Sequence, residues 1–276
     1  MENKKLTRMK KVGPTRQRSN IDVRPMMFAL TLALTAGPAS GDRTASPEPR
    51  QHASTYPACV VLLHGLGRTL RSMDKMAQAL QAAGYATANI DYPSRERPIQ
   101  DLASMAVDDG VANCEWLSQG PIHFVTHSMG GILVRAYLSS QPVQPLGRVV
   151  MLSPPNQGSE AADALKDDAL YAWYNGPAGQ QLGTDEKSLP LRLGPVDFPL
   201  GVITGDQVAF FDGWLADAIP GPNDGKVSVA RARVQGMSDF LVLPYAHSFI
   251  MQEPEVIEQT LHFLDHGYFR RDPESR

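Results

Sequence analysis

Ile122-His-Phe-Val-Thr-His-Ser128-Met-Gly-Gly-Ile-Leu-Val-Arg135 is the stretch on which the reading of this chain turns. A largely apolar and β-branched lead runs into a serine, then two glycines, then an apolar run ending at Tyr137-Leu138. That pattern spells a buried strand, a tight turn and a helix, with Ser128 at the tip of the turn. A serine so placed sits in a strained backbone conformation. Its hydroxyl stands clear of the sheet, and the amides that come after it point to where an oxyanion would form. Gly130 and Gly131 suit the turn because a side chain there would block the approach of helix to strand. The plainer reading, a serine capping a helix, covers Ser128 alone and leaves the acid and histidine further along unexplained.

At these residues the chain resembles the α/β-hydrolases, and within them the lipase and carboxylesterase branch. The family's nucleophile elbow reads G-x-S-x-G, and here it is Thr126-His127-Ser128-Met129-Gly130. Thr126 replaces the first glycine and crowds the turn, so a local adjustment is expected there. The resemblance implies an α/β fold with a doubly wound, mostly parallel sheet and a small cap insertion. It further implies that Leu66, just after the His64-Gly65 loop, and Met129 supply the two oxyanion amides. His64 itself is expected to pack that loop.

Length and charge narrow the possibilities. At 276 residues the chain suits one α/β domain plus an N-terminal extension. Residues 1–25 carry eight Lys/Arg against Glu2 and Asp22, and the remaining 18 basic and 27 acidic side chains leave a net charge of −9. An acidic body argues against nucleic acid as a partner. No clustered set of metal ligands stands out, and the expected chemistry needs neither metal nor cofactor. The basic start leads into the eleven-residue run Met26–Ala36. That is short of the ~20 residues a membrane span needs but right for a signal-peptide core. Cleavage after Ala39 or Gly41 and export to the periplasm or medium are therefore expected, with an uncleaved membrane tether as the alternative. Translation starting at Met26 or Met27 would lack the basic segment.

The domains expected are a signal-like segment 1–41, a Pro-rich linker 42–57 and a hydrolase domain 58–270. Ala58–Leu63 is apolar throughout, as a strand buried on both faces should be. Helical spacing comes next over Ser72–Ala83, stopped by Gly84. Ala86–Asp91 reads as the next strand, Ile99–Ser118 as a long helix, and Arg148–Ser153 as the strand after the elbow helix. The sheet thus resembles a hydrolase sheet lacking its first two strands. Pro155-Asn156-Gln157-Gly158 resembles a loop of bacterial lipases. Residues 156–198 are the expected cap; its Tyr171, Trp173 and Tyr174 could be an acyl-binding wall or the core of a small helical unit. The same cap is the expected place for contact with a membrane surface. Leu200–Asp206 and Phe240–Leu243 read as the last strands. The terminal helix Glu255–Leu264 would turn its apolar positions 256, 257, 261 and 264 to the sheet.

A serine hydroxyl becomes a competent nucleophile only when an imidazole takes its proton, and the imidazole needs a carboxylate to hold its tautomer. The fold delivers these in the order Ser, acid, His. His247 comes after the last strand and precedes the last helix, as that order requires. His52 falls in the linker, His123 inside a strand, and His262 and His266 in the terminal helix. His127 adjoins Ser128 but is expected to point away from it. For the acid, Asn223-Asp224-Gly-x-Val227 resembles the lipase segment bearing the catalytic aspartate, so Asp224 is preferred. Asp206, directly after its strand, is the alternative, and Asp212 also lies in the loop beyond.

The reaction these residues imply is ester cleavage through an acyl-enzyme, with a small-molecule or lipid ester as partner. Some bacterial relatives resembling GPI inositol deacylases belong to the same reading. Dehalogenases and epoxide hydrolases, which need a carboxylate at position 128, do not. An acyltransferase with the same triad and a binding protein on a hydrolase scaffold stay open. Acyl length and oligomeric state are not legible in the sequence. An even cysteine count beside an export signal and the neighbouring strands of this fold lead to one more expectation: a Cys59–Cys114 disulfide.

Overall fold

A computed structural model describes residues 56–165 and 175–271. The signal-like segment, nearly all of the linker, His52, and the aromatics Tyr171, Trp173 and Tyr174 lie outside the described residues. The sheet consists of β1 (Cys59–Leu63), β2 (Ala86–Ile90), β3 (Ile122–His127), β4 (Leu146–Leu152), β5 (Leu200–Gly205) and β6 (Asp239–Leu243). All pair in parallel, in the spatial order β2-β1-β3-β4-β5-β6. The first crossover therefore runs to one edge and the later ones to the other. Such a reversal of direction places ligands beyond the carboxyl ends of the strands around it, here β1 and β3.

Alternation along the strands supplies two cores. Val61 and Leu63 of β1, with Phe124 of β3, face α2 (Ile99–Leu117) and α3 (Met129–Leu138). Val60 and Leu62, with Val125 and Val150, face the opposite layer of α1 (Asp74–Ala82) and the terminal helix α4 (Pro254–His266). β1, buried on both faces, is apolar at every position; β3 is buried throughout as well, though it carries His123, Thr126 and His127.

Two expectations about boundaries shift. β4 begins at Leu146 rather than Arg148, because Leu146 pairs with Ile122 while Gly147 lies against the His123 ring, where a Cβ would come within 2.6 Å of Nδ1. In α4 the buried positions are Val256, Thr260, Phe263 and Leu264, with Ile257 and Leu261 only partly covered. Phe263 packs against Phe269 after the helix, with ring centroids 4.9 Å apart, and that contact draws the buried face round toward position 263.

Cys59 and Cys114 form a disulfide linking the start of β1 to the last turn of α2. Replacing both by Ala is expected to cost on the order of 4 kcal/mol in the chain-entropy picture, for the 55-residue separation it bridges. The measurement is the urea midpoint of the double variant against unreduced wild type; equal midpoints would mean that the bridge adds no stability.

Candidate active site

Between β3 and α3 the chain turns within one residue. Ser128 has φ 53° and ψ −123°, a backbone region that costs about 1–3 kcal/mol for a residue with a side chain. It is held there by its amide donating to Leu152 O (2.8 Å) and its carbonyl accepting from Gly131 N (3.0 Å). The buried body of α3 anchors the turn from the other side. A Cβ on Gly130 would lie 2.7 Å from Leu63 O and 2.9 Å from His64 O, so glycine is what lets the helix start against the end of β1. Thr126 is accommodated fully buried inside β3, paired with Leu63 and Met151.

His247 Nε2 lies 3.0 Å from Ser128 Oγ, and His247 Nδ1 lies 2.9 Å from Asp224 Oδ2. Asp224 is wholly buried. Its Oδ1 accepts the amides of Lys226 (3.0 Å) and Val227 (2.9 Å), while its backbone carbonyl accepts the amide of His247 (3.0 Å). Burial alone would push this carboxyl up. The neighbouring imidazole and the hydrogen bonds it receives outweigh burial and hold it below the ordinary carboxylate range. The turn is built locally: Asn223 Oδ1 accepts the amide of Gly225, and Asn223 bridges to Ser228. Gly205 completes the approach, since a Cβ there would meet Tyr245 O at 1.9 Å and Asp224 Cβ at 3.1 Å.

The other two aspartates are elsewhere. Asp206 is exposed and within reach of Gln207 Nε2 (3.3 Å). Asp212 is buried at the pocket wall, paired with Lys226 Nζ at 2.6 Å and taking Ser248 Oγ at 3.4 Å.

Leu66 sits in a turn closed by Arg68 N donating to Gly65 O (3.2 Å), with Gly67 at φ 68°, as a type II turn requires at its third position. Gly67 N is taken by Ser94 Oγ at 3.0 Å, whereas no acceptor among the described residues takes the Leu66 amide. Met129 opens α3, where first-turn amides have no partner within the helix. His64 packs the loop as expected, fully buried, stacked on Tyr92 with centroids 4.1 Å apart and its Nδ1–H donating to Gly65 O. Burial lowers its pKa.

His127 departs from expectation. It does not point away from the site: its ring lies 4.9 Å from that of His247, and its Nε2–H donates to the His247 carbonyl at 3.0 Å. Burial first, then the proximity of His247 and Arg68, puts its pKa well below the ordinary imidazole value, so it serves as a neutral donor. Its neighbourhood to Ser128 is visible in the sequence, but its direction depends on the β6–α4 loop folding over it.

Ser128 and His247 open into a cavity of about 480 Å³, with Ala161, Ala162, Leu182 and Leu215 among its apolar lining and Arg68 and Lys226 among its polar lining. Two further groups tie the expected cap to the core. Glu160 accepts Ser228 Oγ (2.7 Å) and Arg231 Nε (3.1 Å) behind the acid turn. The buried Arg135 of α3 donates to the carbonyls of Asn156 (2.8 Å) and Gly194 (2.7 Å), and burial lowers its pKa to about 10. Exposed aromatics also stand among the described residues outside the span 156–198. These include Phe210, Phe211 and Trp214, after β5, with Phe249; of the four, Trp214 lines the cavity.

Residues 60–270 match the model of the family described as the alpha/beta hydrolase family. Among solved structures, the chain is similar to the mature form of the Bacillus licheniformis lipase BlEst2, with a TM-score of 0.60 and 21% identity over 79% of this chain and 96% of that one. It is also similar to the phospholipase PlaB from Legionella pneumophila, with a TM-score of 0.57 and 19% identity over 74% of this chain and 57% of that one.

Proposed function

The chain belongs to the alpha/beta hydrolase family, and from this we propose that it is a serine hydrolase of carboxylic esters, with Ser128 as nucleophile, His247 as general base and Asp224 as the carboxylate behind it. The observation that carries the reading is the unbroken line from Ser128 Oγ to His247 Nε2 (3.0 Å) and from His247 Nδ1 to Asp224 (2.9 Å), mounted on a positive-φ turn. The family and the lipase among its structural likenesses support hydrolase chemistry.

In this mechanism Ser128 Oγ attacks the ester carbonyl as His247 takes its proton. The negative oxygen that forms is met by the amides of Leu66 and Met129. His247 then passes the proton to the departing alcohol, and water, activated by the same imidazole, frees the acid from Ser128. The buried Asp224 needs no proton of its own; it holds Nδ1 protonated and stabilises the imidazolium. The apolar wall of Ala161, Ala162, Leu182 and Leu215 is the proposed seat of the acyl chain. The Cys59–Cys114 disulfide supports the reading of an exported protein, since such bridges persist in oxidising compartments.

A fluorophosphonate probe tests the nucleophile directly. Wild type is expected to be labelled on Ser128 and to cleave para-nitrophenyl esters in a panel running from short to long chains. An unlabelled Ser128 would point instead to a binding protein on a hydrolase scaffold.

A further inference from the structure

We propose that Arg68 forms an anion subsite in the Ser128 cavity, so that the preferred esters carry a carboxylate or phosphate near the reacting carbonyl. The inference rests on the ester-hydrolase reading and adds a substrate class to it.

Among the described residues, three charged side chains line the cavity beside Ser128 and His247: Arg68, Lys226 and Asp212. Lys226 and Asp212 neutralise each other at 2.6 Å. Arg68 forms no ion pair among the described residues. Among the described residues the cavity lining therefore holds one uncompensated positive charge, on a chain whose overall charge is −3.

That charge is also held in place. Arg68 ends the turn that carries Leu66, its amide closing on Gly65 O, and its Nη2 donates to the carbonyl of Ser248 at 3.1 Å. Ser248 is the residue directly after His247, so the guanidinium is fixed between the loop bearing one proposed oxyanion amide and the loop bearing the general base. A guanidinium has five N–H donors and pairs bidentately with planar carboxylate or with phosphate. Ser248 O accounts for one of those donors. Lysine would offer the charge without the fork, and a purely structural tie to Ser248 O would not need a charge at all. With an apolar wall in the same cavity, the chemistry described is that of an ester with an apolar acyl part and one anionic group.

The test uses the purified full chain and two matched pairs of esters. Para-nitrophenyl butyrate is compared with para-nitrophenyl hemiglutarate, which adds a carboxylate to the acyl side. Monobutyrylglycerol is compared with monobutyrylglycerol phosphate, which adds the anion to the alcohol side. Wild type is expected to show a higher kcat/KM for the anionic member of at least one pair, narrowing as ionic strength rises. In Arg68→Gln the anionic ester should lose about 10- to 100-fold more than its neutral partner, the size of a charged hydrogen bond, while Arg68→Lys should keep part of the preference. A preference confined to the first pair assigns a carboxylate on the acyl side; one confined to the second assigns a phosphate on the alcohol side. The subsite is overturned if wild type prefers neither anionic ester, or if Arg68→Gln slows both members of a pair equally, which would leave Arg68 only the task of bracing Ser248. If wild type cleaves none of these esters and Ser128 resists the fluorophosphonate probe, the ester-hydrolase reading falls and the subsite with it.

Discussion

Ser128→Ala is expected to lower kcat for ester hydrolysis on the order of 10⁶-fold, as losing the nucleophile does in serine triads elsewhere. The reason is that no other serine among the described lining residues is placed to take its part. Ser159 and Ser248 also line the cavity. However, Ser159 Oγ donates to Lys226 O at 2.7 Å and Ser248 Oγ lies 3.4 Å from Asp212, so neither faces the imidazole. Alanine keeps the Cβ, and with it the same steric demand at φ 53°. The variant should therefore fold with a urea midpoint near that of wild type, and the loss would be one of chemistry. Whatever rate survives measures the proposed oxyanion amides and the cavity acting on water alone. Retention of most of the activity with an unchanged fold would place the nucleophile at another residue.

Asp224→Asn is expected to cost about 10⁴ in kcat. An asparagine side chain can turn its NH₂ toward His247 Nδ1, which then must accept rather than donate, and Nε2 is left holding the proton it should take from Ser128. The same change removes an ion that two backbone amides and the imidazole stabilise. Because the folded pKa of Asp224 lies below its ordinary value, its contribution to stability is present above the usual carboxylate range and is lost as pH falls through the depressed value. Wild type should accordingly lose stability on acidification more steeply than Asp224→Asn. Asp206→Asn, at an exposed side chain away from the imidazole, should leave kcat far closer to wild type. If the two variants rank the other way, Asp206 is the acid.

The sequence by itself is enough for whatever local rules control. An uninterrupted apolar run names β1, a largely apolar and β-branched one names β3, and the Ser-Met-Gly-Gly turn between strand and helix locates the elbow. Chain order then picks His247 from seven histidines. The strands and the elbow depend on residues within a few positions of one another, where backbone periodicity and steric size act directly, and His247 on the order of the elements alone. The acid cannot be settled that way, since Asp206 and Asp224 both come after β5. Which one turns inward is decided by the Asn223–Gly225 bond, the amides of Lys226 and Val227, and the close packing of Gly205 against Tyr245. The direction of His127 escapes a local reading for the same kind of reason: its partner, the His247 carbonyl, is 120 residues away and reaches it only when the loop after β6 folds across the elbow. The contact of Arg68 with Ser248, 180 residues apart, is likewise invisible to any local pattern. Strand and helix directions come from short-range sterics, whereas the facing of a loop side chain comes from hydrogen bonds that exist only once distant segments have been packed together.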